Sequence, residues 1–228
     1  TNDLIHARRV TWHLEQLIPD ILQIFPNFRV DYARTLALVH DDAEIITGDV
    51  QLCDKERMTS QELQALANKE ELAIPQLVKR FGNDANGFIY ETLLRDAKQK
   101  QTLEAKFASF CDKLDGGGEA WHEVFAGNHY FLLPAGGHNG SSGGYVKRVN
   151  AFQTKYPIMT LFFENFPEYL PIPLDFREVV TQGKPHTPNS LSQDSGYIPY
   201  ERWKQAIIPY EGTELLTTQR ELGYLPTQ

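Results

Sequence analysis

The sequence has little cysteine, a deficit of positive charge, no long apolar run and almost no strand pattern. Only Cys53 and Cys111 are present, far apart and without paired spacing. That argues against a disulfide framework or a cysteine zinc site and makes a reducing cytoplasm the expected compartment. Lys and Arg total 22 against 30 Asp and Glu, a formal charge of −8. A general binder of nucleic acid polymers carries a basic face, so that class is set aside. A small anionic substrate is not, because a metal ion supplies positive charge locally. No apolar run is long enough to cross a bilayer and no signal peptide is visible, so no membrane partner is expected. The chain opens at Thr1 rather than Met, so residues upstream of it are expected. There are no internal repeats.

What remains is ordinary for a soluble globular protein. The 228 residues are 41% hydrophobic and 23% charged, enough for one domain or one domain with an appendage. Apolar positions recur at helical rather than alternating spacing, which makes the expected fold all-α. Residues 4–17 read as a helix through Ile5, Val10, Leu14 and Leu17, carrying His6 and His13, and Pro19 and Pro26 punctuate the stretch beyond it. Asp31 is a candidate N-cap for a helix over 32–46. Thr59-Ser60-Gln61-Glu62 is a capping box; the helix it opens continues to residue 81 and is expected to kink or restart at Pro75. Residues 82–87 form a turn, 88–95 a short helix and 103–114 a longer one. Asp115-Gly116-Gly117-Gly118 reads as a break, after which 119–126 resumes the helix. The glycine-rich stretch 134–144 lacks the context and the lysine of a phosphate-binding loop and reads as a surface loop. Residues 145–166 are helical, broken near Pro157. The main domain is therefore 1–166. From 167 to 228 prolines recur and periodicity fades outside 200–208 and 213–222. This stretch reads as a C-terminal extension packed on the domain.

The chain is organised around residues 36–49. His40, Asp41 and Glu44 fall within little more than one helical turn, Gly48 ends the helix, and Asp49 comes directly after it. Residues four apart stack on a helix, so Glu44 is expected above His40, on the side of Ala33, Leu36, Ala37 and Ala43. Polar groups carried to the edge of a core are costly unless paired or metal-bound. A lone His-Asp pair is by default an accident of a solvated helix end. Here His, Asp, Glu and Asp arrive together beside an apolar stripe. A neutral imidazole with a carboxylate suits a divalent metal of intermediate hardness, and about two further protein ligands must come from elsewhere. The candidates are His6 or His13 from the first helix and an acidic residue from a later one. Spacing alone does not choose among them.

At these residues the chain resembles the HD-domain metal-dependent phosphohydrolases, all-helical proteins whose signature is a His, then a His-Asp pair, then a distant Asp. His6-Ala7-Arg8-Arg9-Val10 looks like the first-ligand element. The run His40-Asp41-Asp42-Ala43-Glu44-Ile45-Ile46-Thr47-Gly48-Asp49 is similar to the central motif of the bacterial 5′-deoxynucleotidase branch. That motif is His-Asp, a Glu four residues after the His, then Thr-Gly-Asp. Phe110-Cys111-Asp112-Lys113-Leu114, leading into Glu123 and Ala126-Gly127-Asn128, resembles the fourth-ligand helix and the Gly-Asn that ends it. The resemblance spans about residues 4–128. It implies an HD-domain helical bundle with His6, His40, Asp41 and Asp112 as ligands of one divalent ion, whether manganese, cobalt, zinc, iron or magnesium. His13 then becomes a structural or supporting histidine. Family members often dimerise, which leaves a homodimer open. Two features depart from the branch. Deoxynucleotidases carry an Arg and a Trp well before the first ligand, whereas five residues precede His6 in this sequence, and Arg8, Arg9 and Trp12 are not equivalent. The glycine-rich stretch and the tail have no counterpart.

The chemistry implied is metal-assisted hydrolysis of a phosphate monoester, with (deoxy)nucleoside 5′-monophosphates as the nearest substrates. Glu44 is the expected proton-transfer group. Asp49 is expected to accept a hydrogen bond from a sugar hydroxyl, or else simply to cap the next turn. A triphosphohydrolase acting on dNTPs or an analogue uses the same ligands and calls for extra basic residues, for which Lys55, Arg57 and Lys113 are available. A non-catalytic module that senses a nucleotide through the metal is the third reading. Retention of Glu44 argues against it.

Overall fold

The computed structural model describes residues 3–50, 52–55, 57–125, 148–149 and 151–170. The 134–144 stretch, the Ala126-Gly127-Asn128 element and the extension beyond Leu170 lie outside the described residues. Seven helices carry most of the described chain up to residue 125: α1 (Asp3–Ile24), α2 (Val30–Val39), α3 (Glu44–Thr47), α4 (Leu52–Lys55), α5 (Ser60–Phe81), α6 (Tyr90–Gln99) and α7 (Leu103–Phe125). Among the described residues the sole sheet is a hairpin of β1 (Asp84–Ala85) and β2 (Phe88–Ile89). Asn86 and Gly87 turn it, both with positive φ (53° and 81°), as the tight Asn-Gly hairpin requires. Beyond α7 come the helices Phe152–Lys155 and Thr160–Asn165. The fold is the all-α bundle expected.

Helices α1, α2 and α7 pack on one another and enclose the core. Val10, Leu14, Leu17 and Ile21 of α1 meet Ala33, Leu36 and Ala37 of α2, and Phe107, Phe110 and Leu114 of α7. Small residues such as Ala37 and Ala108 let the helix axes approach. The later segments close the bundle with aromatic rings. Phe162 sits edge-on to Phe107 at 5.0 Å, and Tyr169 stacks on Phe162 while its hydroxyl donates to Asp20 at 2.5 Å. A smaller cluster of Ile74, Leu77, Tyr90 and Leu94 joins α5 to α6.

Local signals and tertiary packing part company at five points. Helix α1 runs through Pro19 and α5 through Pro75. A proline inside a helix costs about 3 kcal/mol. Each lies among residues buried to completion or nearly so, Leu17 and Ile21 in one case and Ile74 and Leu77 in the other. Burying such side chains contributes about 1.5–3 kcal/mol each, which outweighs the break. Helix α2 begins one residue before Asp31. Its N-terminus is satisfied from another helix, because the Arg29 N–H donates to Glu104 Oε1 at 2.9 Å while the Arg29 guanidinium holds both oxygens of that carboxylate. Asp31 pairs instead with Arg34. Helix α2 also stops at Val39 rather than continuing to residue 46. Finally, α7 does not break at Asp115-Gly116-Gly117-Gly118, for a reason that belongs to the site. The capping box at Thr59 is present as expected, with Thr59 N–H donating to Glu62 Oε2 at 2.7 Å and Glu62 N–H to Thr59 Oγ1 at 3.3 Å.

Candidate metal centre and its cavity

Past Val39 the backbone winds more tightly. Asp42 N–H donates to Val39 O, Glu44 N–H to Asp41 O and Ile45 N–H to Asp42 O, each three residues back. The ψ angles of His40 and Ala43 are both −29°, in the 3₁₀ range. With three residues per turn, positions three apart eclipse. Glu44 therefore lies over Asp41, not over His40 as a regular α-helix would place it. His40 folds back on the last turn of α2, its Nδ1–H donating to Ala37 O at 2.8 Å. That bond fixes the tautomer and leaves the Nε2 lone pair bare. Nε2 is buried, makes no hydrogen bond and lies 3.1 Å from Asp41 Oδ2.

His6 reaches the same point from α1. Its Nδ1–H donates to Asp115 Oδ2 at 2.7 Å, so Nε2 is again the bare nitrogen, 3.4 Å from Asp41 Oδ2 and 3.5 Å from Asp112 Oδ1. One donor atom each from His6, His40 and Asp41 lies within 4.8 Å of the others. Asp112 approaches from α7 and pairs with Lys113 through its second oxygen. Donors each about 2.0–2.2 Å from a common ion stand about 3–3.5 Å apart, so the spacing and chemistry of His6, His40 and Asp41 fit a divalent transition metal, while Asp112 lies outside that group of three and adjoins it through His6. Two imidazoles presented through Nε2 with their Nδ1–H groups tied to oxygen acceptors have the orientation that metal-binding histidines show.

Asp115, expected from local sequence to start a break, is the anchor of this arrangement. It is fully buried. Arg9 donates to both its oxygens, at 2.7 Å and 2.9 Å, and His13 Nε2 stands 3.6 Å from Oδ1. Three groups on α1 thus hold one carboxylate of α7, which carries the helix into the glycine run despite about 1 kcal/mol per glycine against it. One sequence signal points to it: Asp115 lies three residues after Asp112, on the same helical face.

The electrostatics of the cluster come from the same packing. Burial opposes a charged His6, but Asp112, Asp115 and Asp41 outweigh it and raise its pKa well above the usual value. Burial likewise opposes a charged His40, and Asp41 reverses that. Asp41 and Asp112 resist burial and stay far below the carboxylate range, held down chiefly by His40 and by Lys113 respectively. The carboxylates thus keep their charge. A divalent cation at the two Nε2 atoms satisfies the same negative potential. Glu44 behaves oppositely. Burial, then the charges of Asp41 and Asp49, push its carboxyl up to about 8 against the pull of Lys55, whose Nζ is 3.8 Å away.

A cavity of about 210 Å³ opens beside the cluster, with His40, Asp41, Glu44 and Asp112 in its wall. Lys55, Lys98, Lys100 and Lys113 line it as well. Of the basic residues singled out from sequence, Lys55 and Lys113 reach the cavity and Arg57 does not. Lys98 and Lys100 join them with no motif to mark them in the sequence. Asp49 is exposed, outside the cavity wall, just beyond Gly48 with its φ of 75°.

The sequence matches the family described as 5′-deoxynucleotidase YfbR-like over residues 16–139. The chain belongs to that family. Comparison with curated proteins and with solved structures gives no match. YfbR-like proteins are HD-domain hydrolases and metal-dependent, which agrees with the His-Asp cluster. The matched span begins beyond His6 and His13, yet the packing of α1 on α7 sets both beside the matched segment. Among the described residues no helix is long and apolar enough to cross a membrane.

Proposed function

We propose that the protein hydrolyses the phosphate ester of (deoxy)nucleoside 5′-monophosphates with one divalent ion held by His6, His40, Asp41 and Asp112. The observation that carries this reading is the convergence of two bare Nε2 atoms on Asp41 at the wall of a cavity that also contains Glu44. When bound, the ion supplies Lewis-acid activation of water and neutralises charge on the phosphoryl group. Asp41 and Asp112 provide the negative charge that holds it, and Asp115 keeps His6 turned toward it. Glu44 takes the proton of the attacking water and returns one to the departing 5′-oxygen. Asp49 is assigned the sugar hydroxyl, because it lies directly beyond the catalytic turn and its charge is felt at Glu44.

Action on dNTPs is the second reading, favoured by four lysines in the cavity wall. Three of them are already committed to carboxylates: Lys55 to Glu44, Lys98 to Glu70 and Glu71, and Lys113 to Asp112. The cavity is also smaller than the about 300–1,000 Å³ usual for ligand pockets. Both points favour a single phosphoryl group. The test is phosphate release from a panel of mono- and triphosphates with each of manganese, cobalt, zinc and magnesium. Orthophosphate from monophosphates is expected. Triphosphate from dNTPs with monophosphates untouched would promote the second reading, and tight nucleotide binding with no turnover would make the protein a sensor. Asp41→Ala is expected to lose ion and turnover together; full metal content in that variant would overturn the ligand assignment.

A further inference from the structure

Lys100 differs from the other cavity lysines in two ways. Its backbone is left-handed, φ 53° and ψ 44°, at the residue that ends α6. Glycine or asparagine adopts that conformation freely and lysine does not. Its ammonium also has no carboxylate partner among the described residues; Nζ donates to Ala97 O at 3.2 Å. The corner that presents it is locked. Buried Asp96 accepts the N–H groups of Gln101 and Thr102 through Oδ1, at 3.2 Å and 3.1 Å. Its Oδ2 accepts the hydroxyls of Thr102 and Tyr32, at 2.5 Å and 3.0 Å. Four hydrogen bonds to one carboxylate over-determine the α6–α7 connection, the condition under which an unfavourable backbone conformation persists at a functional position.

We infer that Lys100 is the phosphate anchor of the cavity, binding the non-bridging oxygens of a phosphate monoester dianion whose phosphorus lies between it and the His6–His40–Asp41 cluster. The inference rests on the phosphohydrolase reading above. The half-buried ammonium shares its wall with Asp41 and Asp112 but makes a direct ion pair with neither, and a dianion bound between them supplies that contact. Burial, then the neighbouring ammonium of Lys113, lower the Lys100 pKa against the opposing pull of Asp112 and Asp41. One uncommitted lysine matches one terminal phosphoryl group, and its charge is blind to the base, so the anchor predicts selection for the phosphate rather than for the nucleobase.

The test uses Lys100→Asn, which tolerates the left-handed backbone and removes the charge, beside Lys100→Arg, which keeps the charge. Inorganic phosphate is titrated calorimetrically into the wild type and both variants, and metal content and melting temperature are recorded. Lys100→Asn is expected to keep its metal and its melting temperature and to bind phosphate about 10-fold to 100-fold more weakly, the worth of one charge-assisted hydrogen bond. Lys100→Arg is expected to recover most of that loss. With a monophosphate substrate the KM should rise by a similar factor while kcat changes little. Unchanged phosphate affinity in Lys100→Asn overturns the anchor. Absence of turnover in the wild type overturns the hydrolase reading instead, and the phosphate titration still decides on Lys100.

Discussion

Asp115 binds no substrate, yet three basic groups of α1 depend on it. Replacing it by Asn keeps the shape and removes the charge. Arg9 then keeps only its looser pair with Glu119 Oε2 at 3.5 Å, and the cost is expected to approach the about 3–5 kcal/mol of a buried pair broken from one side. His6 loses the charged acceptor behind it, and weakening the partner behind a metal-binding histidine is expected to lower metal affinity by up to about 10-fold to 100-fold. Asp115→Asn is therefore expected to show both losses, read by urea unfolding and by metal titration. A loss of stability with unchanged metal affinity would mean that His6 needs no such support. Glu44 gives a second test with a defined sign. Its folded-state pKa is about 8 against 4.5 for the ordinary group. In protein stripped of divalent ions, the native state between those pH values binds a proton that the unfolded chain has released. Stability therefore falls as pH rises through that window, and the loss is complete above it. Glu44→Gln has no proton to lose, so its stability advantage over the wild type should widen from pH 5 to pH 8. An advantage that stays constant with pH would show that Glu44 titrates normally. In metal-loaded protein the same variant should keep its ion and lose about 10²–10⁴-fold in turnover, the range for general acid–base catalysis.

At the scale of elements, capping chemistry and long-range packing separate cleanly. The Thr59 capping box is exposed and not part of the cavity wall, so Thr59→Ala is expected to cost about 1 kcal/mol. That is a fall of about 2–4 °C in melting temperature for a chain of this size, with turnover unchanged. Such local devices are legible in the sequence, as are the helical character of the chain and the grouping of His40, Asp41 and Glu44 on one short segment. What is not legible depends on partners far away. Arg9 and Asp115 are 106 residues apart, and nothing local at Asp115-Gly116-Gly117-Gly118 announces a helix. The start of α2 is set by Glu104, 75 residues beyond Arg29. The tightened turn at 40–46 is hidden too, because an α-helix and a 3₁₀ turn share one apolar pattern over so short a span. It changes which residue Glu44 faces, and so adds the charge of Asp41 to the burial that raises its pKa. Lys100 is invisible for a related reason. Its left-handed conformation is imposed by Asp96 and the corner that Asp96 fastens, not by any preference of lysine.

At the scale of the molecule, the proposed ligands come from three places that are remote along the chain: α1, the turn after α2, and α7. In polymer terms an ion gripping all of them is a reversible cross-link. The unfolded chain cannot hold the donors together without closing two long loops, so the ion binds the native state almost exclusively and every increment of occupancy is an increment of stability. At a free concentration one hundred times the dissociation constant the gain is about 2.7 kcal/mol. The melting temperature should climb with the logarithm of free metal and drop on adding a chelator, with no nucleotide present. That makes heat a way to rank the candidate ions before any substrate is known. It also means that metal supply would set how long the folded protein lasts as well as how fast it works.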